Sequence, residues 1–468
     1  MNKILIAVIL LSLAGCSQAG ESMPNTPAPT GTPTVTSTPT ATSLPTFTPV
    51  PTAVPGGLYV DAAQNLGNIS PLVYGTNYGP WVSVPYELLP QAEALKITYL
   101  RYPGGEHGDN FDLTRLQIDQ YISFCKQMGA LPNISVRLKN GTPEKAAELV
   151  RYTNIEKGYN VRYWSIGNEP SLFASAERID YDSQRYNQEW RAYAEAMLAV
   201  DPDLILVGPD IHQFTSSSAN NPKDAGGLDW MEEFLKANGD LVDVVSIHRY
   251  PFPTGRDNAP PAIEELRENS REWDAIIPLL RQVIRATTGR DIPIAVTEIN
   301  SNWSHAIGGE ATPDSFYNAI WWGDVLGRLI RQRVEIVAHF VLVSKGNQGG
   351  WGLLESYGLR PSYYVYMLYQ KFGSELIYAS SDHPDVSVYA AKRQDGALTL
   401  MFVNLGPEPI DIPLRIDDFT SSVDVEAWLF DQDHFAEVVD EATLLDLPLD
   451  ASSLAHLPGQ SMALVALR

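Results

Sequence analysis

The chain has 468 residues, 44% of them hydrophobic and 19% charged, with 33 basic and 56 acidic side chains for a formal net charge of −23. This composition excludes a wholly disordered chain, a coiled coil and a polytopic membrane protein. The negative charge speaks against nucleic acid and anionic lipid surfaces as partners.

The chain opens Met1-Asn2-Lys3, continues with an apolar run Ile4–Leu13, and reaches Leu13-Ala14-Gly15-Cys16. A short charged start, an apolar stretch and small residues before a cysteine make residues 1–16 a secretory signal. Residues 17–56 follow as a stalk. Of the 34 residues 22–55, 23 are Ser, Thr or Pro and none is charged. Such a stretch cannot bury enough apolar surface to offset its ordering entropy.

From residue 57 the pattern is that of a folded body. Short apolar runs at Leu72–Asn77, Ile97–Pro103, Leu131–Leu138, Val161–Ile166, Leu204–Pro209, Val244–Tyr250, Ile292–Ile299 and Val334–Val343 read as strands. Between them lie amphipathic stretches of helical period, among them Asp112–Met128, Tyr181–Val200, Ala262–Thr287 and Pro313–Gln332. Eight strands alternating with helices predict a (β/α)8 TIM barrel over residues 57–375. No strand leads into a Gly-rich phosphate turn, which disfavours a dinucleotide fold. Residues 376–468 switch to period-2 segments and turn residues, the pattern of a C-terminal antiparallel β-sandwich. The strand-like Leu58–Ala62, within 57–66, is a candidate strand of that sandwich. Lone Cys125, in a helical apolar stretch, reads as a small buried hydrophobe.

In such a barrel the reactive groups stand at the C-terminal ends of the strands. The fourth run ends Trp164-Ser165-Ile166-Gly167-Asn168-Glu169-Pro170, and the seventh ends Val296-Thr297-Glu298-Ile299-Asn300. Strands 4 and 7 face one another across the barrel mouth, so Glu169 and Glu298 can share one cleft. Two facing carboxylates are the minimum apparatus for glycoside hydrolysis. Glu106-His107-Gly108-Asp109 offers metal-ligand side chains without a second clustered histidine, so no metal is expected. No Gly-x-Ser-x-Gly elbow is present, which disfavours an esterase.

Trp164–Pro170 together with Thr297-Glu298 resembles the clan A retaining glycoside hydrolases. Leu100-Arg101-Tyr102-Pro103-Gly104-Gly105 and Ser246-Ile247-His248-Arg249-Tyr250 resemble the α-L-arabinofuranosidase type. The Glu-Pro ending and the short C-terminal domain resemble equally the β-xylosidase and β-glucuronidase/heparanase-like types. The resemblance implies that Glu169 is the acid/base and Glu298 the nucleophile. It further implies that Asn168 bonds the sugar 2-hydroxyl, that Tyr250 donates to Glu298, and that His248 lines the same subsite. Arg101 would support the nucleophile, Trp351 would form a floor under the sugar, and Tyr74 and Asn77 would touch substrate. No cofactor is needed.

Leu13–Cys16 likewise resembles a bacterial lipobox, which implies a lipid on Cys16 and a membrane-anchored, extracytoplasmic protein. The expected partners are a carbohydrate and, through the lipid alone, a membrane, with no obligate protein partner. Two rivals stay open: a non-catalytic cell-surface glycan-binding lipoprotein, and a transglycosylase that uses the same residues.

Overall fold

The computed structural model describes residues 54–177, 179–252, 259–345, 349–419, 424–450 and 452–468. The expected signal, with Cys16, and all of the expected stalk but residues 54–56 lie outside the described residues.

β1 (Leu58–Asn68) leads into eight parallel strands: β2 (Gly75–Asn77), β3 (Tyr99–Tyr102), β4 (Leu131–Val136), β5 (Tyr163–Ile166), β6 (Ile205–Ile211), β7 (Val244–Arg249), β8 (Ile294–Ile299) and β9 (Ile336–His339). They close in sequence order into a barrel, β9 pairing with β2. All eight strands coincide with the runs expected from the sequence.

The helices between them begin and end where local chemistry demands. Thr114 caps Arg115–Met128 through a capping box with Gln117, and left-handed Gly129 ends that helix. Asp182, Asp229 and Ser315 each cap a later helix by accepting backbone N–H groups. The expected single helix over Ala262–Thr287 is instead Ile263–Asn269 and Trp273–Thr288, joined by the 3-10 turn Ser270–Glu272. Cys125 is buried in its helix, and that burial lifts its thiol to about 12, as expected of an inert apolar filler.

Side chains alternate across each barrel strand, and the inward set changes character along the strand. At the N-terminal end Tyr99, Val207, Val244, Ala295, Ile336 and Ala338 form an apolar plug. One step further on, the buried inward positions are polar: Arg101, Asn133, Ser165, Ser246, His248 and Thr297. The outward alternates, such as Leu100, Trp164, Leu206, Ile247 and Val337, pack under the helices. The barrel is thus sealed below and polar above, so its chemistry is confined to the upper end.

The C-terminal strands are β10 (Glu375–Ser381), β11 (Val386–Lys392), β12 (Leu398–Asn404), β13 (Ile410–Asp417), β14 (Val425–Phe430), β15 (Phe435–Val439), β16 (Leu454–Leu457) and β17 (Ser461–Leu467). With β1 they form one nine-stranded sheet in the order β15-β14-β17-β12-β11-β10-β1-β13-β16. Every pairing is antiparallel except that of β1 with β13. The expected sandwich is this single sheet, curled so that β1, β13 and β16 share an inner core with β11, β12 and β17. Leu58–Ala62, expected as a candidate strand of this domain, lies in β1, which stands seventh of the nine strands, between β10 and β13.

The sheet buries both faces. On β17, Ala463, Val465 and Leu467 enter the inner core, while Met462, Leu464 and Ala466 enter the barrel's core. The helix Phe316–Arg331 lies against that second face. A Cβ on Gly327 would stand 2.3 Å from the Tyr389 ring, so only glycine permits this approach. At the same contact Arg328 Nε donates to Asp324 (2.8 Å), the Tyr389 hydroxyl donates to Asp324 (2.6 Å) and Arg328 Nη2 donates to Ser387 (3.1 Å). Burial alone would raise Asp324, but the Arg328 charge and these hydrogen bonds outweigh it and hold the carboxyl at about 2.

Candidate active site

Three acidic side chains enter the polar layer at places where regular backbone is interrupted. Glu169, just past β5, adopts left-handed φ 47°, ψ 49°. Asp210, near the end of β6, has φ 51°, beside a register shift against β7 between Pro209 and Ile211. Glu298 sits on β8 where the register shifts against both neighbours, between Val296 and Glu298 opposite β7 and between Val296 and Ile299 opposite β9. Strict alternation would turn Glu298 away from the side taken by Thr297. The irregularity lets both neighbours face the centre: Thr297 Oγ1 donates to Asp210 (2.6 Å), and Glu298 meets Arg101. Left-handed non-glycine residues cost of order 1–3 kcal/mol each and persist where surrounding structure enforces them.

Arg101, fully buried on β3, is the hub. Its Nη1 donates to Glu298 Oε2 (3.0 Å) and to Asn77 Oδ1 (3.1 Å). Its Nη2 donates to Asp210 Oδ2 (3.1 Å) and to Asn168 Oδ1 (2.9 Å). Burial by itself would lower the guanidinium, but the Asp210 and Glu298 charges outweigh that and raise it, so it stays cationic. The same pairing works in reverse on Asp210. Its burial cost is overcome by Arg101, with further help from His248, Ser246 and Thr297, and its carboxyl is held below the usual value.

Glu298 accepts two more hydrogen bonds. The Tyr250 hydroxyl donates to Oε1 (2.7 Å), and the Gly105 N–H donates to Oε2 (3.1 Å). Burial first, then the Glu298 and Glu169 charges, push the Tyr250 phenol well above its ordinary value, so it remains a donor. Gly105 presents its N–H from a left-handed φ of 59°, a conformation glycine takes without steric cost. Glu169 is the more open carboxylate, with its side chain 21% exposed. His248 Nδ1 hydrogen-bonds Glu169 Oε1 (2.9 Å), and its Nε2 lies 3.9 Å from Asp210. One atom each of Glu169, His248 and Glu298 lie within 4.8 Å of one another.

The structure therefore brings together Glu169, Glu298, Arg101, Asn168, His248 and Tyr250. Trp351, part-exposed beyond β9, donates its indole N–H to Asn302 O (2.8 Å) and packs edge-on against Phe340. Two expected substrate contacts are placed otherwise. Asn77 is fully buried and spends its amide on Thr297 O (3.0 Å), Ala338 O (3.2 Å) and Arg101, so it ties β2 to β8 and β9 beneath the site. Tyr74 precedes β2 and packs on Tyr369 at the opposite end of the barrel. It reads as a strand-end residue in the sequence, but the strand begins only at Gly75, so it lies at the wrong end.

Asp210 was missed, although it follows the fifth apolar run as Glu169 follows the fourth. In the sequence Asp109 stands out only as part of Glu106-His107-Gly108-Asp109, a group of metal-ligand side-chain types. It accepts the backbone N–H groups of Asn168 (2.8 Å), Leu138 (3.2 Å) and Lys139 (3.4 Å), and so clasps the loop that carries Glu169. Burial lifts its carboxyl to about 6 in spite of these donors.

No family model matches the chain. In sequence it is similar to heparanase of Bos taurus, 24% identical over 321 residues, covering 63% of this chain and 54% of that protein. It is also similar to an intracellular exo-α-(1→5)-L-arabinofuranosidase of Streptomyces lividans, 25% identical over 211 residues, covering 36% and 30%. The chain thus spans about half or less of the length of these relatives. Among solved structures it superposes on the α-L-arabinofuranosidase of Thermotoga maritima in its arabinose complex with a TM-score of 0.67 at 18% identity, covering 88% of this chain and 99% of that one. The barrel, the sheet that follows it and these likenesses together place the chain in the fold of the clan A glycoside hydrolases, which it also resembles in sequence.

Proposed function

We propose that the protein is a retaining glycoside hydrolase acting on O-glycosidic bonds of oligo- or polysaccharides. The observation that carries this reading is the approach of Glu169 and Glu298, with a carboxylate oxygen of each within 4.8 Å of the other. That approach fits the ~5–5.5 Å carboxyl separation of double displacement better than the ~6.5–9.5 Å that admits a water between them.

In the proposed reaction Glu298 attacks the anomeric carbon and the C–O bond to the leaving group breaks. Glu169 gives its proton to the departing oxygen, leaving a glycosyl ester on Glu298. Glu169, now ionised, takes a proton from water as that water attacks the same carbon and frees Glu298. Arg101, Tyr250 and the Gly105 N–H hold Glu298 in place through hydrogen bonds to both of its oxygens. Arg101 occupies the Asn168 oxygen, so the amide nitrogen is the end available to a sugar hydroxyl. His248 is assigned to Glu169 rather than to the sugar alone, because it bonds that carboxylate directly.

The test is a panel of aryl arabinofuranosides, xylosides, glucosides and glucuronides, with the first-formed anomer followed by NMR. Retained configuration supports the reading. The inverted anomer, or no turnover of any glycoside, sinks it. A glycan-binding protein would bind without turnover, and a transglycosylase would pass the sugar to an acceptor other than water.

We propose in addition a lipid anchor at Cys16, supported by the Leu13–Cys16 sequence before an uncharged stalk. Among the described residues no helix is long and apolar enough to cross a membrane. Cys16→Ser should move the protein from the membrane to the soluble fraction, and an unchanged distribution would reject the anchor.

A further inference from the structure

The turn that carries Glu169 is bent against its own preference. Gly167 has φ 79° and Glu169 φ 47°, so Asn168 stands between two left-handed residues. A non-glycine residue keeps that conformation only where its surroundings enforce it. Three consecutive N–H groups tie the turn down. Gly167 N–H donates to Val136 O on β4 (2.9 Å), and Glu169 N–H donates to Asp210 O on β6 (3.0 Å), both backbone contacts to the flanking strands. Between them, Asn168 N–H donates to the Asp109 carboxylate (2.8 Å). Of the three, this middle bond ends on a side chain, so a proton can switch it.

Asp109 lies in the loop after β3 and is 2% exposed. Its Oδ2 takes the Asn168 N–H, and its Oδ1 takes the N–H groups of Leu138 and Lys139 from the loop after β4 (3.2 and 3.4 Å). One carboxylate thus joins three successive loops of the barrel mouth. All three partners are donors. An ionised carboxylate meets them with acceptors alone, whereas a protonated one carries an O–H donor of its own. Burial raises this carboxyl, and the three N–H groups and the Lys139 charge lower it, leaving it at about 6. Arg137 Nε donates to the Asp109 backbone carbonyl (3.1 Å), and Tyr181, Tyr186 and Tyr193, on and before the helix Ser183–Leu198, are near enough to feel its charge. Burial raises all three phenols, so they stay neutral. On its own short helix, His107 packs against Trp81 and Phe111.

We propose that Asp109 is a positioning residue for the acid/base: its ionised carboxylate holds Asn168 and Glu169 where Glu169 can deliver a proton to the leaving oxygen, and protonating Asp109 releases that hold. This rests on the glycosidase reading above and adds a proton-operated control of one of the two glutamates. Glu298 is held by other donors, Arg101, Tyr250 and the Gly105 N–H. Lowering the pH through about 6 adds the proton and weakens acid catalysis, and raising the pH restores it.

The experiment measures kcat/KM, which reports the first half of the reaction, for phenyl, nitrophenyl and dinitrophenyl glycosides of the sugar that is turned over, from about pH 4 to about pH 8. The phenyl leaving group needs the acid and the dinitrophenyl group does not. In the wild type the phenyl glycoside should lose about ten-fold through the Asp109 titration, a step absent from the dinitrophenyl profile. Asp109→Asn keeps the shape but turns a donor toward one of the N–H groups at every pH. At about pH 7 it should lower kcat/KM for the phenyl glycoside about ten-fold more than for the dinitrophenyl glycoside, and its phenyl profile should lack the step. A merely structural role would lower all three glycosides by one factor. That result, or wild-type pH profiles that coincide for all three, would overturn the inference and leave the glycosidase reading standing; the wild-type comparison decides it even where the variant does not fold. No release from any of the glycosides would sink both.

Discussion

The Arg101 guanidinium binds Glu298 and Asp210 at once, at 3.0 and 3.1 Å, with no exposed surface of its own. One buried cation thus balances two buried anions, and removing it would leave both uncompensated. Arg101→Ala should cost about 3–5 kcal/mol of stability, the usual penalty for breaking a buried pair from one side. Urea unfolding of both proteins at pH 7 measures this. A difference under about 1 kcal/mol would mean that the centre relaxes or takes up water instead.

The two glutamates should fail differently. Glu298→Ala should abolish turnover of every glycoside, because no ester can form. Glu169→Ala should still release a good leaving group such as dinitrophenol, which needs no acid, and added azide should then speed turnover by attacking without base help. Azide rescue of the Glu298 variant with retained configuration would mean the roles are reversed.

Tyr250→Phe removes the 2.7 Å donor to Glu298 and keeps the ring. A hydrogen bond to a charged group contributes about 1.5–3 kcal/mol, so kcat/KM should fall about 10- to 100-fold with the fold intact. Steady-state kinetics beside circular dichroism separates the two effects, and unchanged kcat/KM would remove Tyr250 from the mechanism.

Asp324 is held at about 2 in the folded chain, against an ordinary 3.8. A depressed carboxylate contributes stability that is complete above the unfolded value and disappears as pH falls through the folded value. Wild type should therefore exceed Asp324→Asn by about 2 kcal/mol or more at pH 6–7, and the gap should narrow from about pH 5 down to about pH 2. Denaturation across that range is the measurement, and a gap independent of pH would assign the loss to packing against Tyr389 and Arg328 alone.

Much of this molecule is legible in its sequence, because the signals are local. The eight barrel strands are runs of apolar residues between helices with recognisable caps, and hydrophobic period needs no tertiary information. Glu169 and Glu298 stand out because each is a charged residue placed where an apolar strand ends. The sheet's period-2 pattern also reads directly, but its curl into one nine-stranded layer depends on β1 pairing with β10 and β13, hundreds of residues away. Long-range pairing leaves no local trace. The interior of the site was decided in the same way. Asp210 and Asp109 look like ordinary surface acids until β6 and the loop after β3 are brought beside Arg101 and Asn168. Asn77 and Tyr74, three residues apart, part company because one lies at the end of β2 and the other before it starts. The inward turn of Glu298 beside Thr297 arises from a break in strand alternation that only the register against β7 and β9 imposes.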